Sequence, residues 1–136
     1  MARKNLAILL FSDVEVLDFA GPFEVFSVTD ELNSQELLNV FTVAKTNQTI
    51  TAKNGLKVVP DFDLGSHPAI DFLIIPGGVG TRALLDDKDI IEWIRKTADR
   101  CEKVLSVCSG ALLLAQSGLL NNLKATTHHQ VFEELE

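Results

Sequence analysis

Apolar positions along the chain fall into short unbroken runs separated by stretches of helical period. The run NLAILLF at residues 5–11 is continuously apolar and is followed by the turn residues Ser12 and Asp13. A run of that kind predicts a strand buried on both faces. LLNVFTVAK at 37–45, AIDFLIIPGG at 69–78 and KVLSVC at 103–108 predict three further core strands. After the first strand, a loop is expected to about residue 20 and a helix to about residue 32. Leu17, Phe19, Phe23, Val25, Phe26 and Val28 supply its apolar anchors, and Gly21-Pro22 marks its start, where proline is tolerated. Ile90, Ile91, Trp93, Ile94 and Ala98 predict a second helix, and GALLLAQSGLL at 110–120 a third, closed by Gly118. QTITAKNGLKVVP at 48–60 alternates around Asn54-Gly55, a strong hairpin signal, and is expected to stand apart from the main sheet. KATTHHQVFEELE at 124–136 predicts a strand or turn followed by an acidic segment.

Buried strands alternating with helices imply a parallel sheet with helices on both faces, joined by right-handed crossovers. The expected class is α/β, doubly wound and flavodoxin-like, with one hairpin excursion. At 136 residues and 46% hydrophobic content the chain is one domain long and can fill a core. In such sheets ligands bind beyond the carboxyl ends of the strands. Three unusual stretches fall there: Asp13 to Asp18, Pro76 to Gly80 and Cys108 to Gly110.

Charge and composition exclude several functions. The formal charge of −7 comes with no dense Lys/Arg cluster, which argues against nucleic acid as a partner. No apolar run is long enough to span a membrane, and MARKNLAILLFSD does not read as a secretory signal, so a cytoplasmic location is the expectation. The two cysteines, Cys101 and Cys108, form neither a disulfide framework nor a zinc pattern. No metal or cofactor is expected.

Ser106-x-Cys108-x-Gly110 meets the small-residue requirement of a nucleophile elbow, in which a strand turns sharply into a helix. A cysteine at that helix start would have its thiolate favoured by backbone N–H groups and the helix dipole. A buried structural thiol, the cysteine acting as a small hydrophobe, is the competing reading. The glycines of PGGVG at 76–80 can bring backbone N–H groups to developing negative charge, or merely relieve strain in a loop. Asp18 is either a helix N-cap or a general acid and base tuned by apolar neighbours. Glu15 and Glu24 are weaker acidic candidates. Of the adjacent His128 and His129, one at most is expected to reach the site, and His67 is expected at the surface.

VLDFAGPFEVF, DFLIIPGGVGTRALLDDKDIIEWI and VLSVCSGALLLAQSGLLNNLKATTHH, in this order and spacing, resemble the ThiJ/PfpI superfamily of the class I glutamine amidotransferase-like fold. Within it they look like the branch that contains isonitrile hydratase and the N-terminal domains of AraC-type regulators. The resemblance covers nearly the whole chain and implies a nucleophilic role for Cys108. It implies that Asp18 faces that cysteine, that Ser109 replaces a small threonine, and that Gly77 and Gly78, with Ser109, contribute backbone amides. It also implies that His128 and Pro76 belong to the pocket, with His129 standing where the branch has tryptophan. Protease-like members carry histidine directly after the cysteine. Here that place is Ser109, which disfavours peptidase activity.

The resemblance thus implies a cysteine-dependent hydratase or hydrolase-like enzyme acting on a small molecule, such as an isonitrile converted to an N-substituted formamide. The alternative is a sensing domain without turnover, responding to a small molecule or to oxidation of Cys108. The family usually continues for several tens of residues beyond the ATTHH region. A single domain over residues 1–136 lacking its usual C-terminal elements is therefore expected. An incomplete sheet would expose an edge and favour association into a homodimer.

Overall fold

The computed structural model describes residues 2–135. Its main sheet has five parallel strands in the order β5-β2-β1-β6-β7. The central strand β1, Lys4–Leu10, is the KNLAILL run, and its residues from Leu6 onward are fully buried. Each large aliphatic side chain removed from water in this way contributes roughly 1.5–3 kcal/mol, which is why an unbroken apolar run takes the centre of the sheet. Strand β2, Leu38–Ala44, pairs with β1 along its whole length, from Lys4 against Leu38 to Leu10 against Ala44. On the other side β6, Phe72–Ile75, pairs through Leu6 against Phe72 and Ile8 against Ile74. Beyond it lies β7, Lys103–Ser106.

The fifth strand was not expected. It is β5, Phe62–Asp63, only two residues long, and it pairs with Val43 and Ala44 of β2. Side-chain bonding and one aromatic contact hold it there: Asp61 Oδ2 accepts the Thr42 amide at 2.9 Å, Asp61 N–H donates to Thr42 Oγ1 at 3.0 Å, and the Phe62 ring packs edge-on against Phe41 at 5.2 Å.

The hairpin forms as expected, apart from the main sheet, from β3, Ile50–Thr51, and β4, Lys57–Val58. Asn54 and Gly55 between them have φ of 68° and 100°, the left-handed region that this residue pair tolerates. The hairpin also braces the loop after β1. Asp13 N–H donates to Thr51 O at 2.9 Å, and Lys53 N–H to Val14 O at 2.9 Å.

Helix α1 corrects the expected boundary. It spans Val16–Leu32, so it starts about five residues early, with Glu15 at its N-cap and Pro22 in its interior. The entry is set from outside the helix, because Glu15 N–H donates to Gly77 O at 2.9 Å. A proline in a helix interior removes the hydrogen bond to the carbonyl four residues back, here that of Asp18. Of the expected apolar anchors Phe19 is buried, whereas Leu17 and Val25 are 77% and 62% exposed.

After β6 come the short helix α2, Thr81–Leu84, and α3, Lys88–Ala98, which buries Ile90 and Ile94. Asp87 caps α3 by accepting from the amides of Asp89 and Ile90 at 3.1 and 3.3 Å, and it pairs with Lys45 at 2.8 Å. Burial opposes ionisation of this carboxyl, but Lys45 and the two amides outweigh it and hold the pKa below the ordinary value. Asp87→Ala is expected to lower stability by about 1 kcal/mol in urea denaturation at neutral pH, the usual value of an N-cap. The difference from wild type should shrink as pH falls through the depressed pKa, because the anion is the form that the fold favours.

Helix α4, Ala111–Gln116, ends as expected at Gly118, whose φ is 81°. The Gly118 and Leu119 amides reach back to Ala115 O and Leu114 O at 3.0 and 3.1 Å. Residues 124–135 form no strand. They make a 3-10 turn at His129–Val131 and a final turn of helix, α5, Phe132–Leu135. His67 is not a bare surface residue. It is half-buried, its Nδ1 lies 2.8 Å from Pro68 O, and its Nε2 accepts from Trp93 Nε1 at 3.1 Å. No helix among the described residues is long and apolar enough to cross a membrane.

Candidate functional site

The strand order reverses at β1. The chain leaves β1 for β2 on one side and later returns to β6 on the other. The loops after β1 and β6 therefore separate at the carboxyl edge, where a crevice opens in doubly wound sheets. The loop after β7 enters the same crevice.

Cys108 sits at its floor. It opens a 3-10 turn, Cys108–Gly110, that runs into α4, and its φ is 48°, a left-handed conformation unusual for a residue with a Cβ. Its thiol is exposed, so the buried-thiol reading does not describe it. The small neighbours are required by contact. A Cβ on Gly110 would collide with the carbonyl oxygens of Ile75 and Pro76. A Cβ on Gly77 would lie 2.6 Å from both the amide nitrogen and the hydroxyl of Ser109. The carbonyl of Cys108 accepts from Thr127 Oγ1 at 2.8 Å, which ties the strained turn to the segment crossing above it.

Asp18, the third residue of α1, is 6% exposed and points into the crevice from the first helical turn; it is not the N-cap. Its Oδ2 accepts the Gly77 amide at 3.0 Å, and its Oδ1 accepts from Cys108 Sγ at 3.5 Å. The pKa of Cys108 is raised, first by desolvation, then by the charge and hydrogen bond of Asp18, and last by Glu15. This reverses the expectation of a thiolate favoured by a helix start. The partial charge at a helix terminus is worth about half an elementary charge, and α4 is short; a whole carboxylate in contact with the sulfur outweighs it.

The loop amides are also engaged differently from the expected pattern. The Gly77 N–H is directed to Asp18, and the Gly78 N–H donates to Ser109 Oγ at 2.9 Å. Gly78 has a φ of 121°, and a Cβ there would lie 2.5 Å from the Glu15 amide nitrogen, so the loop after β6 fits closely against the loop after β1. Ser109 is buried and braces that loop. Pro76 is buried beneath the crevice and does not line it.

The cleft around Cys108 has a volume of about 480 Å³, within the range of small-molecule sites. Asp18, Gly78, Ser109 and His128 line it, as does Glu15. His128 Nδ1 accepts the Gln130 amide at 3.2 Å, and its ring lies 4.3 Å from that of His129. Sequence reasoning missed several lining residues, among them Lys53 from the hairpin, Thr81 and Arg82 from α2, and Gln130 and Val131 from the 3-10 turn. Arg82 follows directly from the glycine loop in GGVGTR and was within reach of a motif argument. Lys53 and Val131 were not, because their place depends on how distant segments fold back.

A parallel α/β sheet whose switch point holds a cysteine elbow opposite a buried carboxylate defines a narrow class. The chain belongs to the DJ-1/PfpI family, whose profile it matches over residues 4–136. It is similar to isonitrile hydratase from Pseudomonas putida, at 33% identity over 124 residues that make up 91% of this chain and 52% of that protein. It is also similar to the HTH-type transcriptional regulator GbdR of Pseudomonas aeruginosa, at 23% identity over 98% of this chain and 36% of the regulator. Among solved structures, a ThiJ/PfpI family protein from Pseudomonas syringae superposes with a TM-score of 0.88 at 31% identity, over 99% of this chain and 54% of that one. The chain thus spans about half the length of isonitrile hydratase and of that solved protein.

Proposed function

We propose that this domain hydrates isonitriles to N-substituted formamides, with Cys108 as nucleophile and Asp18 as the proton carrier. The observation that carries this reading is the hydrogen bond from Cys108 Sγ to a buried carboxylate at the floor of an open cleft. The similarity to isonitrile hydratase over 91% of this chain supports the choice of substrate.

The terminal carbon of an isonitrile is electrophilic toward a soft sulfur and becomes basic once sulfur has bonded to it. As Cys108 attacks, the thiol proton passes to Asp18 and from there to that carbon, giving a thioimidate, R–N=CH–S–Cys. Asp18, again a carboxylate, takes a proton from water as the water adds to the same carbon. Asp18 passes that proton to the nitrogen, giving R–NH–CH(OH)–S–Cys, and the hydroxyl proton then moves to the sulfur as the C–S bond breaks, releasing R–NH–CHO and the free thiol. One water is consumed, and no electron leaves or enters. A raised thiol pKa suits this cycle, because the proton needed on carbon is already held between the two groups. Gly77 holds Asp18 in place, and Ser109 holds the Gly78 loop against the elbow.

The test is direct. Purified protein with Cys108 reduced, given a simple alkyl isonitrile, should form the formamide over many turnovers by mass spectrometry. Stoichiometric modification of Cys108 without turnover would instead favour a sensing domain, a reading to which the similarity to GbdR lends weight.

The α1 surface supports association of chains as a homodimer. Val25 and Leu32 lie two helical turns apart on one face of it, and each is more than 60% exposed. A sedimentation mass of one chain at micromolar concentration would count against this.

A further inference from the structure

The cleft has charged groups that the proposed reaction does not use. Arg82, from α2, and Lys53, from the hairpin, line the same cavity as Cys108. Asp18 touches the sulfur at 3.5 Å, whereas the Arg82 side chain is largely exposed and turned to Glu134 on α5, so this cation lies at the rim of the cleft. The cavity therefore has a carboxylate at the sulfur and a guanidinium at its rim, with Lys53 as a second lining cation. Arg82 already holds a carboxylate: its guanidinium donates to Glu134 Oε1 of α5 at 2.7 Å. Both partners are substantially exposed, at 59% and 40%, and ion pairs of that kind exchange readily for another anion. Lys53 is half-buried and makes no ion pair with the described residues. A chain of net charge −7 repels anions at long range, so an anion that reaches this cleft is selected by these local cations.

We propose that Arg82, assisted by Lys53, selects substrates with a carboxylate at the end remote from the reacting carbon, and that this carboxylate takes the place of Glu134 on the guanidinium. Resting on the isonitrile reading above, the substrate class is an isonitrile bearing a carboxylate on its substituent. The neutral isocyano group enters toward Cys108, where Glu15 and Asp18 would oppose an anion, and the carboxylate stays at the mouth. Arg82 presents a planar fork of donors suited to a carboxylate, whereas Lys53 adds an undirected positive charge.

Selection for the carboxylate can be measured without any hydration. N-ethylmaleimide and 3-maleimidopropionate react with a thiol by the same addition, sulfur bonding to one alkene carbon and a proton to the other, and differ by a carboxylate several bonds from that carbon. The ratio of their rates at Cys108, followed by peptide mapping, is compared with the ratio in the urea-unfolded chain. The ratio in the folded protein should favour the carboxylate reagent by about tenfold, at the low end of electrostatic steering, and should fall with added salt. Arg82→Gln should remove most of the preference, and Lys53→Gln should remove a smaller part. Glu134→Gln should raise it, since it frees the guanidinium. A folded ratio at or below the unfolded one, or one that Arg82→Gln leaves unchanged, overturns the proposal. In parallel, Arg82→Gln should raise KM for 3-isocyanopropionate about tenfold relative to ethyl isocyanide. If neither isonitrile is hydrated while the maleimide ratios behave as stated, the hydratase reading fails and carboxylate selection stands. If both are hydrated but the ratios show no preference, selection fails and the hydratase reading stands.

Discussion

Replacement of Cys108 by serine is expected to lower isonitrile hydration by about three orders of magnitude or more while leaving the fold intact, a loss in line with removal of a covalent nucleophile. Serine fits the site sterically. It adopts the left-handed backbone at φ 48° no worse than cysteine, its side chain is smaller, and the position is exposed, so packing barely changes. What changes is the reacting atom. An alcohol holds its proton far more tightly than a thiol, and oxygen is a harder nucleophile than sulfur toward an isocyano carbon. Asp18 would have to take that proton while still receiving the Gly77 amide. Formamide formation measured by mass spectrometry, beside a circular-dichroism melt that matches wild type, checks both parts. A variant that retains a tenth of the rate would remove Cys108 from the chemistry.

Asp18→Asn is expected to act in opposite directions on two measurements. Hydration should fall by about 10²- to 10⁴-fold, the usual contribution of a positioned proton carrier. The reaction of Cys108 with N-ethylmaleimide at neutral pH should become faster. The sign follows from the charge: the pKa of Cys108 is raised in part by Asp18, so an amide in its place lowers that pKa and increases the thiolate fraction at any pH below it. Desolvation and Glu15 remain, so the midpoint of the rate against pH should move down without losing all of its elevation. Asparagine keeps an oxygen for the Gly77 amide and so preserves the loop. Asp18→Ala would leave that buried N–H unpaired, at a cost of about 1–3 kcal/mol, and would confuse the two effects. A maleimide rate that falls together with hydration would mean that Asp18 activates the thiol rather than restraining it.

Much of the framework was legible in local pattern. Burial of β1 on both faces followed from an unbroken apolar run, the hairpin from Asn54-Gly55, and the end of α4 from Gly118. Each of these is decided by residues close in sequence, so local rules suffice. The start of α1 was not legible, because the Glu15 amide is held by Gly77 O, more than sixty residues away in the chain, and Gly21-Pro22 gave a stronger local signal. The pairing of Cys108 with Asp18 joins positions 90 residues apart, and the spacing of the strand ends suggested it only in outline. The sign of the thiol shift was misjudged for the same reason. A helix start can be counted from local sequence, but the desolvation that opposes it, and after it the carboxylates of Asp18 and Glu15, come from how the loop and helix after β1 fold against the sulfur. Lys53 and Val131 reach the site through folded-back segments and carry no motif of their own, whereas Thr127 lies in the ATTHH stretch.

Cys101 bears on all of these measurements. It is half-buried, its Sγ lies 3.5 Å from Ile70 O, and desolvation followed by the charge of Asp71 pushes its pKa to about 11. Near neutral pH it stays protonated, and the exposed Cys108 reacts first. The molecule therefore carries an internal standard for its own integrity. One label per chain counts intact clefts, and the appearance of a second reports that the β6 side of the sheet has opened, in the same mass spectrum and without a separate folding assay.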